Sequence, residues 1–560
     1  MARALTQDQP PPAGETYDVV IVGAGVAGAL IGSRLALAGA KVVILESGPR
    51  VDRDEAVNRY RGAIAKTPES PYPGTDWAPR PDTLDLDLYY VQSGPEKFKS
   101  TYERRVGGTT WHWLGTSIRL LPSDFEMKTR YGVGVDWPLS YQELEPWYGE
   151  AERELGVAGD SSRDLGSPRS TDYPMPPIPI SSGDQLWAKA AATLGLKVEP
   201  TPQARNSVEY QGRPACYGNA MCIPICPIQA KYDASYHVKV AEDAGARVIE
   251  NAVAHRIEVD AEGKVTAIRY KTPDGAEQTI VGRVYVGAAN AIETAKLLLM
   301  STSEATPNGV ANSSDQVGRH LSDHPIQLSI AASKEPYYPY RGPLSVAGIP
   351  TLRDGDFRRD RSAFRIEIGN DGWSWPGLDP LGVAQALIEQ GYVGAALYRT
   401  VGQRIPYQVR LASLTEQLPN PDNRIVPDDG NRDAIGIPRP KLTYQYDEYT
   451  IKGIQEARAI HDALCNALGV TFRAHFQEIQ GAGHVMGTHR MGPDQKTSVT
   501  DADGRTHDHP NFFLAGGGLF PTFGNANPTL TIAALALRTA ARIETDLGVV
   551  PGTPVASPVA

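Results

Sequence analysis

One short segment constrains this chain more than any other. Tyr17–Val22 (YDVVIV) runs into the turn Gly23-Ala24-Gly25-Val26-Ala27-Gly28, then a helical stretch 29–38, then a second β-branched run 41–45. Strand, glycine turn, helix, strand is a βαβ unit, which commits the chain to a parallel sheet with helical cover. Glycines at those spacings let the backbone approach a pyrophosphate at a helix N-terminus. Glu46, eighteen residues after Gly28 at the end of the second run, offers a carboxylate to ribose hydroxyls. The unit therefore predicts an α/β fold with Gly23, Gly25, Gly28 and Glu46 binding a dinucleotide. An acid at that position suits FAD or NAD alike and disfavours NADP.

The remainder of the 560 residues holds material for three to four domains at roughly 150 residues each. Helices are predicted over 141–155, 291–300 and 449–468, the last with Ile454, Ala457, Ile460 and Leu464 at helical spacing. Alternating strands are predicted between 247 and 286. A final helix is expected from Pro528 to about Thr545, with Asn527 as its N-cap and Pro528 at N1. The formal charge of −10 repels phosphate backbones and argues against a nucleic-acid partner. No apolar run reaches the 18 or so residues of a membrane span; the richest, 531–541, is broken by Arg538. Residues 1–16 are polar and Pro-rich, without the basic and apolar regions of a secretion signal, so by its own sequence the chain is expected to stay where it is made.

Three of the four cysteines fall within eleven residues. Cys216, Cys222 and Cys226-Pro227 keep the bacterial ferredoxin spacing, with Asn219 at the second cysteine position. Three thiolates with one corner vacated suggest a [3Fe-4S] cluster. Zinc would want a fourth ligand, and the nearest downstream histidine, His237, lies eleven residues past Cys226. A disulfide with a spare thiol is the third reading. Cys465 sits on the 449–468 helix as a small buried residue.

The C-terminal region narrows the chemistry. Gly483–Gly492 (GHVMGTHRMG), with Asn525–Thr531 (NANPTLT) following so that His484 and Asn527 are 43 residues apart, resembles the glucose-methanol-choline (GMC) oxidoreductases. RRVGGTTWHW (104–113), VGRHLSDHP (317–325) and AANAIETAKLLLMS (288–301) are similar to family segments along the flavin, and the likeness covers essentially the whole chain. Within the family it is nearest the flavoprotein large subunits of bacterial FAD-dependent sugar and sugar-acid dehydrogenases of the glucose, gluconate, sorbitol and fructose type. The resemblance implies an FAD-binding Rossmann-like domain from 15–130, 200–335 and 480–548. An inserted α+β substrate domain with an antiparallel sheet would come from 131–199 and 336–479, with tails at 1–14 and 549–560. It also implies FAD contacts at Gly107, Gly108, Thr109, His112, Pro528 and Thr529. His112 falls where pyranose oxidases attach FAD covalently; a ring packed between Trp111 and Trp113 is the other reading.

Oxidising an alcohol removes a hydroxyl proton and a carbon-bound hydride, so the site needs a base and a hydride acceptor. His484 is the expected base, and Asn527, in place of a second histidine, is expected to hold the substrate oxygen. As the cap of the last helix it would also aim that helix's positive end at the flavin. His320, His324 and His489 are read as structural or supporting. A cluster implies a dehydrogenase passing electrons to a cytochrome or quinone, and relatives of this kind use a small subunit carrying the export signal, which implies a periplasmic site. The rival readings are an oxygen-using pyranose or glycoside 3-oxidase and a non-catalytic electron-transfer flavoprotein. Specificity is expected within 336–475, where Tyr337, Tyr338, Tyr340, Trp373 and Trp375 could stack on a sugar ring.

Overall fold

The opening run forms β1 (Thr16–Val22), the helix Val26–Leu37 and β2 (Val42–Leu45) in a computed structural model that describes residues 14–64, 66–370 and 380–550. β1 lies parallel to β2, pairing Val19 with Val42 and Val22 with Leu45. Val19, Val20, Ile21, Val43 and Ile44 are fully buried, as expected of a parallel strand covered on both faces. Three further pieces complete the parallel core: β5 (Arg247–Ile249) beyond β2, β8 (Glu277–Gly287) on the other side of β1, and β16 (Phe512–Leu514) beside β8. β6 (Val253–Val259) and β7 (Val265–Lys271) extend it antiparallel, giving the order β5-β2-β1-β8-β7-β6. The helices Val26–Leu37, Tyr141–Leu155 and Thr529–Leu547 share one core with this sheet.

A second, antiparallel sheet runs β15 (Phe472–His475), β9 (Ile326–Ala332), β12 (Gln408–Thr415), β11 (Phe364–Ile368), β10 (Ala347–Ile349) and β4 (Glu199–Pro200). Phe364, Ile366, Ile368, Val409 and Leu411 pack in one cluster with Ala457 and Leu464 of the helix Glu448–Leu468. Strand alternation then turns Arg365 and Glu367 to the other face, towards the first domain. A small third sheet joins β13 (Arg424–Arg432), β14 (Pro438–Thr443) and β3 (Val91–Gln92).

Several expectations need correction. The helix Tyr141–Leu155, from the stretch assigned to the substrate domain, packs with the core of the parallel sheet. Its buried face of Tyr141, Leu144, Tyr148 and Leu155 is closed by the final helix, where Tyr148 Oη and Thr531 Oγ1 are 2.8 Å apart. β9, assigned to the FAD domain, is a strand of the antiparallel sheet. The final helix spans Thr529–Leu547, with Pro528 at the cap position and no side-chain cap. The Asn527 carboxamide is engaged elsewhere. Trp373, Trp375 and most of both expected tails lie outside the described residues, among which no helix is long and apolar enough to cross a membrane.

Candidate active site

A cleft follows the C-terminal ends of β1 and β2. Gly23, Gly25, Glu46, Gly108, Thr109, His484, Pro528 and Thr529 all line it, together with Thr110, Trp113, Ala289, Asn290 and Gly517. The glycines make it narrow. A Cβ on Gly23 would stand 2.7 Å from the Ala288 carbonyl oxygen, and one on Gly108, whose φ is +55°, 3.1 Å from Gly25 Cα. Gly28 does not line the cleft; a Cβ there would meet the Gly23 oxygen at 2.0 Å, so this glycine lets the helix sit on its turn. Gly107, at φ +97°, likewise serves the turn and makes room for the Trp111 ring. Glu46 accepts hydrogen bonds from the backbone of Ala24 (2.9 Å) and Gly48 (3.2 Å), which fixes its carboxylate at the cleft wall. A slot between bare glycines, closed by a fixed carboxylate and an uncapped helix N-terminus, fits the pyrophosphate and ribose of FAD.

His112 departs from its expected place. It is absent from the cleft lining, its ring bonds to the Pro68 backbone, and burial with the nearby Arg80 and Lys231 cations pulls its pKa down to about 3. Another group was not anticipated. Glu293 accepts from Tyr89 (2.6 Å) and Tyr102 (2.5 Å) and pairs with Lys296 (3.0 Å). Burial opposes its charge, but Arg104 and Lys296 prevail and bring its pKa down to about 2. This buried ionic group ties the helix Ala291–Met300 to segment 102–104 along the cleft.

At the cleft's other end His484 meets Asn527, with Nδ2 of the amide 3.3 Å from Nε2 of the ring. The other ring nitrogen, Nδ1, lies 2.9 Å from Nδ1 of His324, a fully buried residue whose Nε2 faces the Phe523 carbonyl at 3.3 Å. Asp323 holds the two histidines together. Its Oδ1 accepts from the backbone N–H of His324 (2.7 Å) and His484 (3.0 Å), and its Oδ2 accepts from Ala482 (3.0 Å) and the Ser100 hydroxyl. Burial raises this carboxyl to about 6 even against those bonds. Burial, His324 and Arg365 all push His484 well below the ordinary imidazole range.

Arg365 comes from β11 in the region without motifs. Its Nη2 donates to Asn527 Oδ1 (3.2 Å) and to Glu367 Oε2 (3.1 Å). The segment VGRHLSDHP thus contributes two residues, Asp323 and His324, of which the sequence singles out only the histidine. Arg365 carries no local signal, since its contact with Asn527 spans 162 residues.

The cysteines form a separate cluster behind the cleft wall. Cys222 and Cys226 are buried, and Cys216 is partly exposed. Burial raises the Cys222 thiol; Arg205 draws it down, while the neighbouring Cys226 and Cys216 reinforce the rise. Among the described residues no three His, Cys, Asp or Glu side chains close on one point as a single ion requires. Two buried cations, Lys231 and Arg205, the latter with an unpartnered Nε, suit an anionic group there. Lys231 also joins this cluster to the cleft. Its N–H approaches Cys226 Sγ at 3.5 Å, and its Nζ donates to the carbonyls of Thr110 (3.2 Å), Trp111 (2.9 Å) and Trp113 (2.7 Å).

The two profiles of the GMC oxidoreductase family match residues 17–326 and 419–536. The chain is 40% identical over 541 residues to the fructose dehydrogenase large subunit of Gluconobacter japonicus, covering 95% of this chain and 98% of that one. It is 30% identical over 562 residues to 6'''-hydroxyparomomycin C oxidase of Streptomyces lividus, covering 96% and 93%. Among solved structures, pyridoxine 4-oxidase from Mesorbium loti shares the fold with a TM-score of 0.65 at 17% identity, covering 94% of this chain and 99% of that one.

Proposed function

From the premise that this chain belongs to the GMC oxidoreductase family and is an FAD-dependent enzyme acting on CH–OH groups, we propose that it is a dehydrogenase of a sugar or sugar derivative. The observation that carries the reading is the pairing of His484 with Asn527 at the end of the cleft. The fructose dehydrogenase relative supports the substrate class.

FAD, held by Gly23, Gly25, Glu46, Gly108, Thr109, Pro528 and Thr529, supplies the hydride acceptor. Asn527 Nδ2 and His484 Nε2 together define the position of the reacting hydroxyl. The amide donates to the oxygen and the ring takes its proton as the carbon–hydrogen bond breaks. Asn527 is buried and His484 is partly buried at the cleft end, which limits water around the pair and makes the ring a near acceptor for the proton.

Electrons would leave through a [3Fe-4S] cluster held by Cys216, Cys222 and Cys226, which supplies one-electron steps that an enzyme reducing oxygen directly does not need. Lys231, bonded at once to cleft-lining backbone and to Cys226, supports that exit. The acceptor would be a cytochrome or quinone. The relative's designation as a large subunit supports a small partner, and with it a periplasmic site.

The test is an anaerobic screen of D-fructose, other sugars, glycosides and sugar acids that follows bleaching of bound FAD, with iron assay and EPR on the same protein. Bleaching by a sugar, about three irons per flavin and dye reduction without hydrogen peroxide are expected. Hydrogen peroxide at the rate of sugar consumption would make it an oxidase, as the Streptomyces relative is named. Flavin untouched by every sugar would overturn the substrate class.

A further inference from the structure

We propose that Arg365 and His324 are positioning residues that preset His484 as a base by pinning both ends of a hydrogen-bond chain whose donors all point one way. The chain runs from Arg365 Nη2 through Asn527, His484 and His324 to the Phe523 carbonyl, with successive distances of 3.2, 3.3, 2.9 and 3.3 Å. It deepens the reading of His484 as the base and rests on it.

The direction follows from what each terminal group can do. A guanidinium only donates, so Asn527 turns its Oδ1 to Arg365 and presents its NH2 to His484. His484 Nε2 must then be the acceptor, without a proton. At the far end a carbonyl only accepts, so His324 carries its proton on Nε2. A neutral His324 has a bare Nδ1, and His484 must donate to it from its own Nδ1. Two independent arguments, one from each end, thus assign the same tautomer to His484: Nδ1–H, with the Nε2 lone pair towards the Asn527 amide.

Burial supports the neutral state of both rings. His324 is pulled down to about 4 by burial, and burial with His324 and Arg365 pushes His484 well below the ordinary imidazole range. The titratable or charged groups facing His484 are His324 and Arg365, with Asp323 bonded only to its backbone N–H. A carboxylate in place of His324 would fix the same tautomer but hold the proton too well, raising the pKa of the ring. A neutral imidazole orients without charging. Glu367, on Arg365 Nη2, keeps the guanidinium from leaving Asn527.

The tautomer is read without substrate, by 15N NMR of protein with ring-labelled histidine, the His484 signals being those lost in His484→Ala. A protonated Nδ1 and bare Nε2 are expected in the parent, and an exchange towards the other tautomer in His324→Leu. His324→Gln, whose amide oxygen can still accept, should restore the parent pattern. A parent His484 protonated on Nε2 overturns the proposal whatever the substrate proves to be.

Anaerobic flavin bleaching with D-fructose, or with the fastest sugar of the screen, is the second arm. His324→Leu and Arg365→Met should each slow it by 10- to 100-fold, and His324→Gln by less than 5-fold. His324→Asp should move the acid limb to higher pH. Arg365→Met in an Asn527→Ala background should cost less than 2-fold more, because its action passes through the amide. Full additivity of that pair, or His324→Gln as slow as His324→Leu, overturns it. Failure of every sugar leaves the NMR result to decide.

Discussion

At the residue scale the decisive property is that His484 is held neutral. Only the neutral ring can take a proton, and burial with two adjacent groups lowers its pKa well below 6.5. Flavin reduction should therefore stay level from pH 8 to below 6.5 and fall only in more acid solution. Arg365→Met, which removes a neighbouring cation, should move that fall upward. An acid limb centred at 6.5 or higher in the parent would contradict the electrostatics. His484→Ala should keep its FAD yet slow reduction by about 10²–10⁴-fold, the usual contribution of a positioned base, and near-parental rates would pass that role to another group. His484 and Asn527 are legible in the sequence because the irregular segment 483–492 and the start of the last helix each carry a local motif. Arg365 is not, because nothing in a strand's periodicity distinguishes an arginine that faces the Asn527 amide from one that faces water.

At the element scale, the glycine turn separates two jobs that the motif writes as one. A Cβ on Gly28 would collide with the turn, whereas one on Gly25, at φ −78°, meets nothing within 4 Å. Gly28→Ala should therefore destabilise the flavin-free protein by roughly 1–3 kcal/mol or more, the range for overpacking, seen as a lower melting temperature. Gly25→Ala should melt as the parent does and yet retain less FAD, since its methyl would occupy the pyrophosphate's approach. Equal effects of the two would mean that Gly25 also serves the fold. The βαβ unit and the helices 141–155 and 291–300 are legible because each buries a local pattern of its own. The start of the final helix is misread for a physical reason. An asparagine before Pro-Thr has the chemistry of a cap, but Arg365 and His484 offer its carboxamide stronger partners than a backbone N–H does.

At the scale of the whole molecule one prediction tests the proposed cluster and another tests burial. If the proposed cluster is the exit for electrons, Cys222→Ser should abolish the iron EPR signal and collapse turnover with cytochrome c while sugars still bleach the flavin, because the proposed hydride transfer relies on His484 and not on the thiols. Metal-free protein with full cytochrome activity would sink the cluster. Acid stability is the second. Burial holds His320, His461 and His489 at about 3 and His324 at about 4, below the 6.5 of an unfolded chain. Their stability is present above pH 6.5 and is lost as pH falls towards those values, by at most about 2 kcal/mol each at pH 5. Asp323, raised to about 6, works in the opposite sense and offsets part of it. The flavin-free protein should thus melt about 5 °C or more lower at pH 5 than at pH 7, and an unchanged melting temperature would contradict the buried neutral rings.

The parallel sheet has a consequence for how the enzyme comes into being. β1 finds β2 within a few dozen residues, but its other neighbour, β8, begins at residue 277, and Asn527 follows far later. At 5–20 residues per second, roughly 10 to 50 s of synthesis pass with one edge of the first strand unpaired. Such an edge is a template for wrong partners, so the nascent chain's hazard is concentrated in its opening domain. A ribosome that stalls before the final helix releases a chain lacking Asn527, not a slower enzyme. The His484–Asn527 pair is complete only once residue 527 has been made.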